Sequence, residues 1–410
     1  FFLFPFLTFL SFNRFVTTSN EEARTKKNYA FYVECLDDLP PDIHESLERM
    51  RIPAKHLEKH FELLLNILSF ADKHIPRRRF VTHAQLEKIR KQRQAPMPNL
   101  TDRVLLPTSE AYETVNFSEA RAMYKWDVYL GHGGFGQVVE AKSKMKKDPH
   151  YGTRFALKFQ KNETERAKRM NIEEVSLLKF CDHPNIVRLY RALEVRTEVW
   201  MVMELMRGGN LKQASTNKVV PFSESEIAYV AAETLKGLDY LHKQQIAHRD
   251  LKNLNIMLSV KGEVKIIDFG LAVDMSTGPR IQMVGSPLWM APEMIRGEPH
   301  SYGVDVWSFI VCMLELANQK PPNVSNIKRA MFLSATIGMS ENKFVDPGRW
   351  SKDFSEFISK GGTMRQEERP TAGELLQHRF IASACPVKMI KKKLEGVFLV
   401  DALSERGIVG

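Results

Sequence analysis

Hydrophobic residues recur with helical spacing in the first part of the chain. Phe61, Leu64, Leu65 and Leu68 stand at positions i, i+3, i+4 and i+7, which is the period of one helix face. Together with the neighbouring apolar positions, this spacing predicts a compact helical segment over residues 39–72.

The hydrophobic pattern changes near residue 124. Before it, Pro96, Pro98 and Pro107 interrupt a stretch of little periodicity, which indicates a linker. From Tyr124 to Ile381, alternating apolar positions predict strands around a glycine-rich loop, and long helical periods follow. We therefore divide the chain into an undefined start (1–38), the helical segment (39–72), a linker (73–123), one two-part domain (124–381) and a tail (382–410).

The first twelve residues, FFLFPFLTFLSF, are almost wholly apolar. They are too short to cross a bilayer as a helix, and Pro5 interrupts them. They also lack the basic n-region of a signal peptide. A truncated or misassigned amino terminus is our preferred interpretation, and a peripheral apolar anchor is the alternative.

Composition narrows the class of protein. The 410 residues are 43% hydrophobic and 26% charged, as in globular proteins, which disfavours disordered and fibrous classes. The four cysteines lie far apart in sequence, which excludes a CxxC metal clip and a dense disulfide framework: Cys35, Cys181, Cys312 and Cys385. We expect a reduced intracellular protein in the cytoplasm.

Much of the net charge of +10 comes from one stretch. Between Lys73 and Arg93 there are eight Lys or Arg and only one acid, Glu87. This stretch suggests contact with an acidic membrane surface on activation, or with an acidic partner, while plain solvation is the preferred interpretation. A nucleic-acid partner is not favoured, because aromatic interleaving and zinc or RNA-binding motifs are missing.

A glycine-rich loop lies at the start of the two-part domain. Residues 130–138 read LGHGGFGQV, and such glycines let backbone amides approach a phosphate closely. GxGxxG also marks dinucleotide-binding folds, where the glycines open a helix. Here Val138 and Val139 follow and favour a strand, and a second strand, FALKF, carries Lys158. A glycine-rich hairpin without ligand is the alternative.

Further motifs follow this loop in a fixed order. They are FALK (155–158), Glu174 ten residues before the proline of HPNIV, HRDLK (248–252) with Asn255, DFG (268–270), APE (291–293), DVWS (305–308) and RPT (369–371). In this order they resemble the protein kinases. The resemblance implies an α+β bilobal fold, with a small antiparallel-sheet lobe carrying the αC helix and a large, mainly helical lobe. The residues 39–72 would add a small helical regulatory segment.

The resemblance also assigns roles to residues. The catalytic group would be Asp250, Lys252, Lys158 and Glu174. ATP would be held by Leu130, Gly131, Gly133, Gly134, Gly136, Val138, Ala156, Lys158, Met203, Glu204, Met206 and Met257. Two Mg²⁺ ions would be held by Asn255 and Asp268, which offer hard oxygen ligands. His248 is interpreted as a structural histidine that packs near Phe269.

Two residues indicate the acceptor. Lys252 in the catalytic loop and Ser286 in VGSPLWMAPE are typical of serine/threonine kinases. We therefore expect transfer of the ATP γ-phosphoryl group to Ser or Thr hydroxyls of protein substrates. The alternative is a pseudokinase scaffold that binds partners without transfer.

Within the protein kinases, the sequence is similar to the sterile-twenty group and most similar to the p21-activated kinases. Leu39-Pro40, Ile52 and FELLLNILSF resemble the autoinhibitory region of that family. There, this region packs on the large lobe and blocks the cleft until a Rho-family small GTPase binds. An unrelated amphipathic helical hairpin is the alternative.

The sequence departs from this family at three places. Residues 17–38 show no GTPase-binding motif, so either the upstream sequence is missing or GTPase control is lost. Ile281 and Gln282 stand where the family carries its phosphorylated serine-threonine pair. Leu254 and Gln213 stand where relatives often carry acids that recognise basic substrates, so a preference for arginine is not expected.

Overall fold

The computed structural model describes residues 29–71, 78–82, 105–133, 136–148, 150–216, 221–339 and 344–405. The sequence assignments to Gly134 and to most of the stretch Lys73–Arg93 lie outside the described residues. The described chain forms a helical amino-terminal segment, a sheet-based small lobe and a mainly helical large lobe.

The amino-terminal segment is helical, as its hydrophobic spacing predicted. Its elements are β1 (Tyr29–Tyr32), α1 (Pro41–Met50), α2 (Ala54–Lys59), α3 (Phe61–Ala71) and β2 (Arg78–Val81). Strands β1 and β2 pair in parallel. Helix α1 begins with a proline at its first turn, which needs no amide hydrogen there, and ends at Arg51 in the left-handed region (φ 51°).

This segment packs on the large lobe through α3. Leu64, Leu65 and Leu68 are fully buried, in one apolar cluster with Met331 and Phe332 of the large lobe. Removing this much apolar surface from water stabilises the contact, since each fully buried Leu contributes about 1.5–3 kcal/mol.

The small lobe is built on one six-stranded sheet. Its strands are β3 (Glu113–Thr114), β4 (Tyr124–Gly133), β5 (Gly136–Ser143), β6 (Arg154–Lys161), β7 (Leu189–Val195) and β8 (Glu198–Glu204). Their spatial order is β3-β7-β8-β6-β5-β4, and every pair is antiparallel except β3 with β7. Gly136 cannot carry a side chain, because a Cβ there would lie 1.8 Å from the carbonyl oxygen of Phe159.

The described part of the small lobe contains three helices, α4 (Thr108–Ala111), α5 (Phe117–Met123) and α6 (Glu165–Phe180). Helix α6 begins after Thr164, whose hydroxyl accepts the Ala167 amide hydrogen at 3.1 Å, as expected of an N-cap. Residues 105–123, which lie in the segment expected to be a linker, pack on this lobe. For example, the Leu106 amide donates to the Ser176 hydroxyl at 3.1 Å, and Tyr112 is buried.

The large lobe contains the remaining elements. Its strands are β9 (Gly208–Asn210), β10 (Ile246–Ala247), β11 (Ile256–Ser259), β12 (Val264–Ile266) and β13 (Val273–Asp274). Its helices are α7 (Leu211–Thr216), α8 (Glu224–Lys243), α9 (Pro292–Ile295), α10 (Gly303–Asn318), α11 (Ile327–Thr336), α12 (Lys352–Gly361), α13 (Ala372–Leu375), α14 (Arg379–Ala382) and α15 (Val387–Glu405). Helix α10 lies at the centre and is buried from Val304 to Ala317.

The tail forms helix α15, which packs on the large lobe through fully buried Ile390, Leu394 and Val397. Among the described residues, no helix is long and apolar enough to cross a membrane. The α+β bilobal fold expected from the sequence is confirmed.

Candidate active site

Lys158 connects the two lobes. Its Nζ lies 2.7 Å from Oε1 of Glu174 on α6 and 3.1 Å from Oδ1 of Asp268, in the loop that follows β12. The Lys158 and Glu174 side chains are only 9% and 3% exposed. One buried cation therefore joins β6, α6 and the large lobe.

This environment keeps Lys158 charged. Burial alone would lower the pKa of Lys158, but the Glu174 and Asp268 carboxylates outweigh it and raise this pKa to about 12. Burial likewise opposes ionisation of Asp268, yet Lys158 holds the pKa of Asp268 below its ordinary value. The site thus presents a fixed ammonium group beside an ionised carboxylate.

Asp250 lies at the centre of a second cluster. Its Oδ1 accepts a 2.8 Å hydrogen bond from the Ser286 hydroxyl, and its Oδ2 accepts one of 2.7 Å from Lys252 Nζ. Lys252 also donates to Ser286 Oγ at 2.9 Å, and Asn255 Nδ2 donates to the Asp250 carbonyl at 2.8 Å. The structure therefore brings Asp250, Lys252 and Asn255 together with Ser286, which lies between the DFG and APE motifs in what we call the activation segment (268–293).

Asp305 of α10 holds the catalytic loop in place. Its carboxylate accepts the amide hydrogens of His248 and Arg249, both at 2.8 Å, and lies 3.0 Å from His242 Nε2. Burial would raise the pKa of Asp305, but these donors hold it below its ordinary value. The bonds stabilise Arg249 in the left-handed region (φ 61°), a conformation that non-glycine residues rarely adopt.

The described side-chain contacts of His248 are structural. Its Nε2 lies 3.0 Å from the Ile267 carbonyl oxygen, and its ring packs edge-on against Phe269 with 5.4 Å between ring centroids. This arrangement orients the loop around Asp250 and does not present the imidazole as a base.

The residues assigned to ATP lie along adjacent strands of the small lobe. Val138 of β5 pairs with Lys158, and Ala156 of β6 pairs with Met203 of β8. Four further described members lie on β4 and β5: Leu130, Gly131, Gly133 and Gly136. Glu204 ends β8, Met206 follows it, and Met257 lies on β11. The Glu204 carboxylate pairs with Lys265 at 3.1 Å, and its amide donates to the Arg188 carbonyl oxygen at 2.9 Å, so its own backbone carbonyl is the group that could bind a nucleotide.

The residues present fit a nucleotide and Mg²⁺. A Cβ added at Gly131 would meet no atom within 4 Å, so the space beside this residue is open. Asn255 uses its amide nitrogen on Asp250, so its carbonyl oxygen is the atom suited to a cation. With the Asp268 carboxylate this gives two hard oxygen donors, and Mg²⁺ commonly takes one or two protein ligands plus phosphates. Among the described residues no larger His, Cys, Asp or Glu cluster could hold a metal.

Gln282 occupies the activation segment opposite Arg249. The Arg249 Nη1 lies 3.5 Å from Gln282 Oε1, and Arg280 donates to the Asp274 carbonyl at 2.6 Å. Burial, together with the nearby Arg280, lowers the pKa of Arg249 to about 10. A neutral amide thus stands beside Arg249, where the resemblance to the p21-activated kinases implied a phosphorylated residue.

Sequence reasoning missed Gln160. Its Nε2 donates a 2.8 Å hydrogen bond to Oε2 of Glu174, the oxygen that Lys158 does not use. Lys158 and Gln160 are two positions apart on one strand and therefore lie on the same face. This spacing of two residues was the only feature of the sequence that could have predicted the contact of Gln160 with Glu174.

Arg369 and Glu293 form a buried double hydrogen bond in the large lobe. The two bonds are 2.7 and 3.0 Å long, and the side chains are 0% and 1% exposed. Arg369 also donates to the Gly303 carbonyl at 2.6 Å. The pair ties the end of the activation segment to the start of α10.

Comparison with known proteins agrees with this site. The model of the protein kinase domain family matches residues 124–381. The chain is 38% identical over 386 residues to the probable serine/threonine-protein kinase mkcB of Dictyostelium discoideum, covering 92% of this chain and 50% of that protein. It is 35% identical over 306 residues to the serine/threonine-protein kinase shk1/pak1 of Schizosaccharomyces pombe, covering 73% and 44%.

A third relative is the serine/threonine-protein kinase pakB of Dictyostelium discoideum, 41% identical over 224 residues, covering 53% of this chain and 26% of that protein. The chain spans about half the length or less of these relatives. The family model covers well over half of the chain, and it includes every assigned site residue. The chain belongs to the protein kinase family, among relatives named serine/threonine kinases.

Proposed function

We propose that this chain transfers the γ-phosphoryl group of ATP to serine and threonine hydroxyls of protein substrates. The observation that carries the proposal is the position of Lys158 between Glu174 and Asp268. This contact aligns the phosphate-binding cation with a carboxylate suited to Mg²⁺, as phosphoryl transfer requires.

Each residue has a role in this proposal. Lys158 binds the α- and β-phosphates, the loop 130–136 covers the phosphates, and the backbone of Glu204 and Met206 binds the base. Asn255 and Asp268 hold two Mg²⁺ ions, which supply charge neutralisation when bound.

Asp250 acts on the acceptor. Its carboxylate orients the substrate hydroxyl and accepts its proton, while Lys252 stabilises charge on the transferred group. Ser286 bonds to both residues and fixes their separation. Serine and threonine carry their hydroxyl on a short side chain, so the acceptor backbone must come close to Asp250. The short side chain of Ser286, which reaches Asp250, agrees with this.

Radiolabelled ATP tests the proposal. The purified chain with Mg²⁺ is offered matched peptides that differ only in a central serine, threonine or tyrosine. We expect label on the serine and threonine peptides and none with Lys158→Met. Label on the tyrosine peptide alone would contradict the acceptor class, and no label on any peptide would contradict the activity. No observation favours the non-catalytic scaffold.

We also propose that residues 39–72 autoinhibit the kinase. The docked segment covers Met331 and Phe332 of α11 and Met290 of the activation segment. The Lys158–Glu174 pair is formed in the same structure, so the inhibition would act by covering the substrate side. Binding of a Rho-family small GTPase would release the segment, and a GTP-loaded GTPase that leaves the rate of the full chain unchanged would contradict this.

We propose a cytoplasmic protein that reaches acidic membranes through the basic stretch Lys73–Arg93. Sedimentation with vesicles of phosphatidylserine and phosphatidylcholine tests this, with a deletion of 83–93 as the comparison. Equal sedimentation of both chains would indicate that the stretch is merely solvated.

A further inference from the structure

Four described stretches of the chain near Asp250 contain no acidic residue. They are 205–216, 251–262, 275–292 and 316–339, and together they hold eight Lys or Arg and no Asp or Glu. None of the 49 acids of the chain therefore lies within these stretches.

The fold brings these stretches together. The turn 253–255 contacts α7, and the turn 287–289 contacts both α10 and α11. Ser286, which precedes that second turn, bonds directly to Asp250. Stretches 251–262 and 275–292 therefore lie at Asp250, where a substrate hydroxyl must lie, and the other two stretches pack against them.

Acids that flank these stretches are already paired with lysines. Glu315 of α10 is fully buried, and its Oε1 lies 2.6 Å from Lys212 Nζ on α7. The Asp250 and Asp268 carboxylates are likewise engaged by Lys252 and Lys158. A cationic substrate side chain would find no unpaired carboxylate on these elements.

Apolar side chains occupy the remaining positions. Leu254, Ile281, Val324 and Ile327 are 46–49% exposed, all within the four stretches. Gln213 is exposed at α7, but its side-chain oxygen accepts the Asn210 amide hydrogen at 2.9 Å. The face is thus basic and apolar.

A segment of the chain itself shows what this face attracts. Arg329 of α11 donates to the carbonyl oxygens of Met50 and Arg51 at 2.6 and 3.0 Å. Those carbonyls end helix α1, where the helix dipole is negative. Lys328 donates to the Ser46 hydroxyl at 2.9 Å.

We infer that the kinase selects acceptor sites flanked by acidic or apolar residues and discriminates against arginine-flanked sites. The inference rests on the proposed phosphotransfer and gives its substrate class. Long-range attraction by a single-sign surface acts mainly on encounter and weakens with salt.

Three peptides test this inference on the full chain. They share a central serine and carry glutamates, alanines or arginines on both sides. We expect kcat/KM to be about tenfold higher for the glutamate peptide than for the arginine peptide at about 0.1 M salt. The ratio should shrink at about 1 M salt, where the Debye length falls from about 10 Å to about 3 Å. A higher kcat/KM for the arginine peptide would overturn the inference.

One substitution tests whether the selectivity between the peptides arises beside Asp250. Leu254→Glu places a carboxylate beside Asp250 and should shift the arginine-to-glutamate ratio by about tenfold toward arginine. Met389→Glu, at a similarly exposed position (52%) on α15, should leave the ratio unchanged. An equal shift of this ratio in both variants would contradict the assignment of the selectivity to the surroundings of Asp250.

Binding separates this inference from the proposed function. Fluorescence anisotropy with the same peptides, their serine replaced by alanine, needs no phosphotransfer. Absence of transfer to every serine peptide would sink the proposed function, whereas equal or tighter binding of the arginine peptide would sink the inference.

Discussion

Gln160 Nε2 donates a 2.8 Å hydrogen bond to Glu174 Oε2, while Lys158 binds the other oxygen of the same carboxylate. All three residues are buried. Two side chains on one face of β6 therefore fix the carboxylate of α6, and both oxygens of Glu174 have a donor.

We expect Gln160→Leu to lower kcat/KM about tenfold. A hydrogen bond to a charged group contributes about 1.5–3 kcal/mol, and its loss lets Glu174 leave Lys158. Initial rates of peptide phosphorylation measure the effect, with Lys161→Leu as control because Lys161 is exposed at the end of β6. A rate equal to that of the control would show that Gln160 does not position Glu174.

We expect Ser286→Ala to lower kcat by about 10- to 100-fold, since a misplaced catalytic group costs up to about 10² in rate. Ser286 bonds to both Asp250 and Lys252. Ser286→Thr keeps the hydroxyl and should retain most of the rate. Steady-state kinetics decide this, and exposed Ser276→Ala in the same segment is the control. Full activity of Ser286→Ala would refute the positioning role.

We expect Arg369→Met to lower the free energy of unfolding by about 3–5 kcal/mol, because it leaves the buried Glu293 carboxylate unpaired. Arg365→Met removes a surface pair with Glu368, whose side chains are 77% and 58% exposed, and should cost less than about 1 kcal/mol. Urea unfolding of both variants provides the measurement. Similar losses of unfolding free energy in the two variants would show that the buried Arg369–Glu293 pair contributes no more than the surface pair.

The residues assigned to the site could be selected from the sequence because the expected chemistry fixes both residue type and spacing. The structure brings Lys158 to Asp268 and Asn255 to Asp250, and it adds Ser286 beside Asp250. A single motif would not have sufficed. Their order along the chain made each one specific.

Long-range packing was not predictable to the same degree. Residues 105–123 read as a linker, yet Glu113 and Thr114 form a strand in parallel with β7, about 80 residues away in the chain. The Glu113 carboxylate also pairs with Arg191 on that strand. Proline content reports the local backbone, and it carries no information about which distant strand a short segment joins. The buried pair of Lys212 and Glu315 was missed for the same reason.

We expect Leu65→Asp to release the amino-terminal segment and raise the rate of substrate phosphorylation. Leu65 is fully buried in the cluster with Met331 and Phe332, and burying an unpaired carboxylate there costs several kcal/mol. Lys55→Asp, at an exposed position of α2, is the control.

Hydrogen exchange provides a second readout of this release. Amides of α11 should exchange faster in Leu65→Asp than in Lys55→Asp. Faster exchange without a higher rate would mean that the segment docks but does not inhibit. Unchanged exchange would mean that the contact tolerates the charge.

The most direct test compares the chain with its Asp250→Asn variant in Mg²⁺ and saturating ATP. Asparagine keeps the shape of the side chain but cannot accept the acceptor's proton, so we expect the initial rate of serine phosphorylation to fall by at least about 10²-fold. Folding should be preserved, as judged by an unchanged urea midpoint. An undiminished rate in Asp250→Asn, or no measurable rate in the unmodified chain, would contradict phosphotransfer at this site.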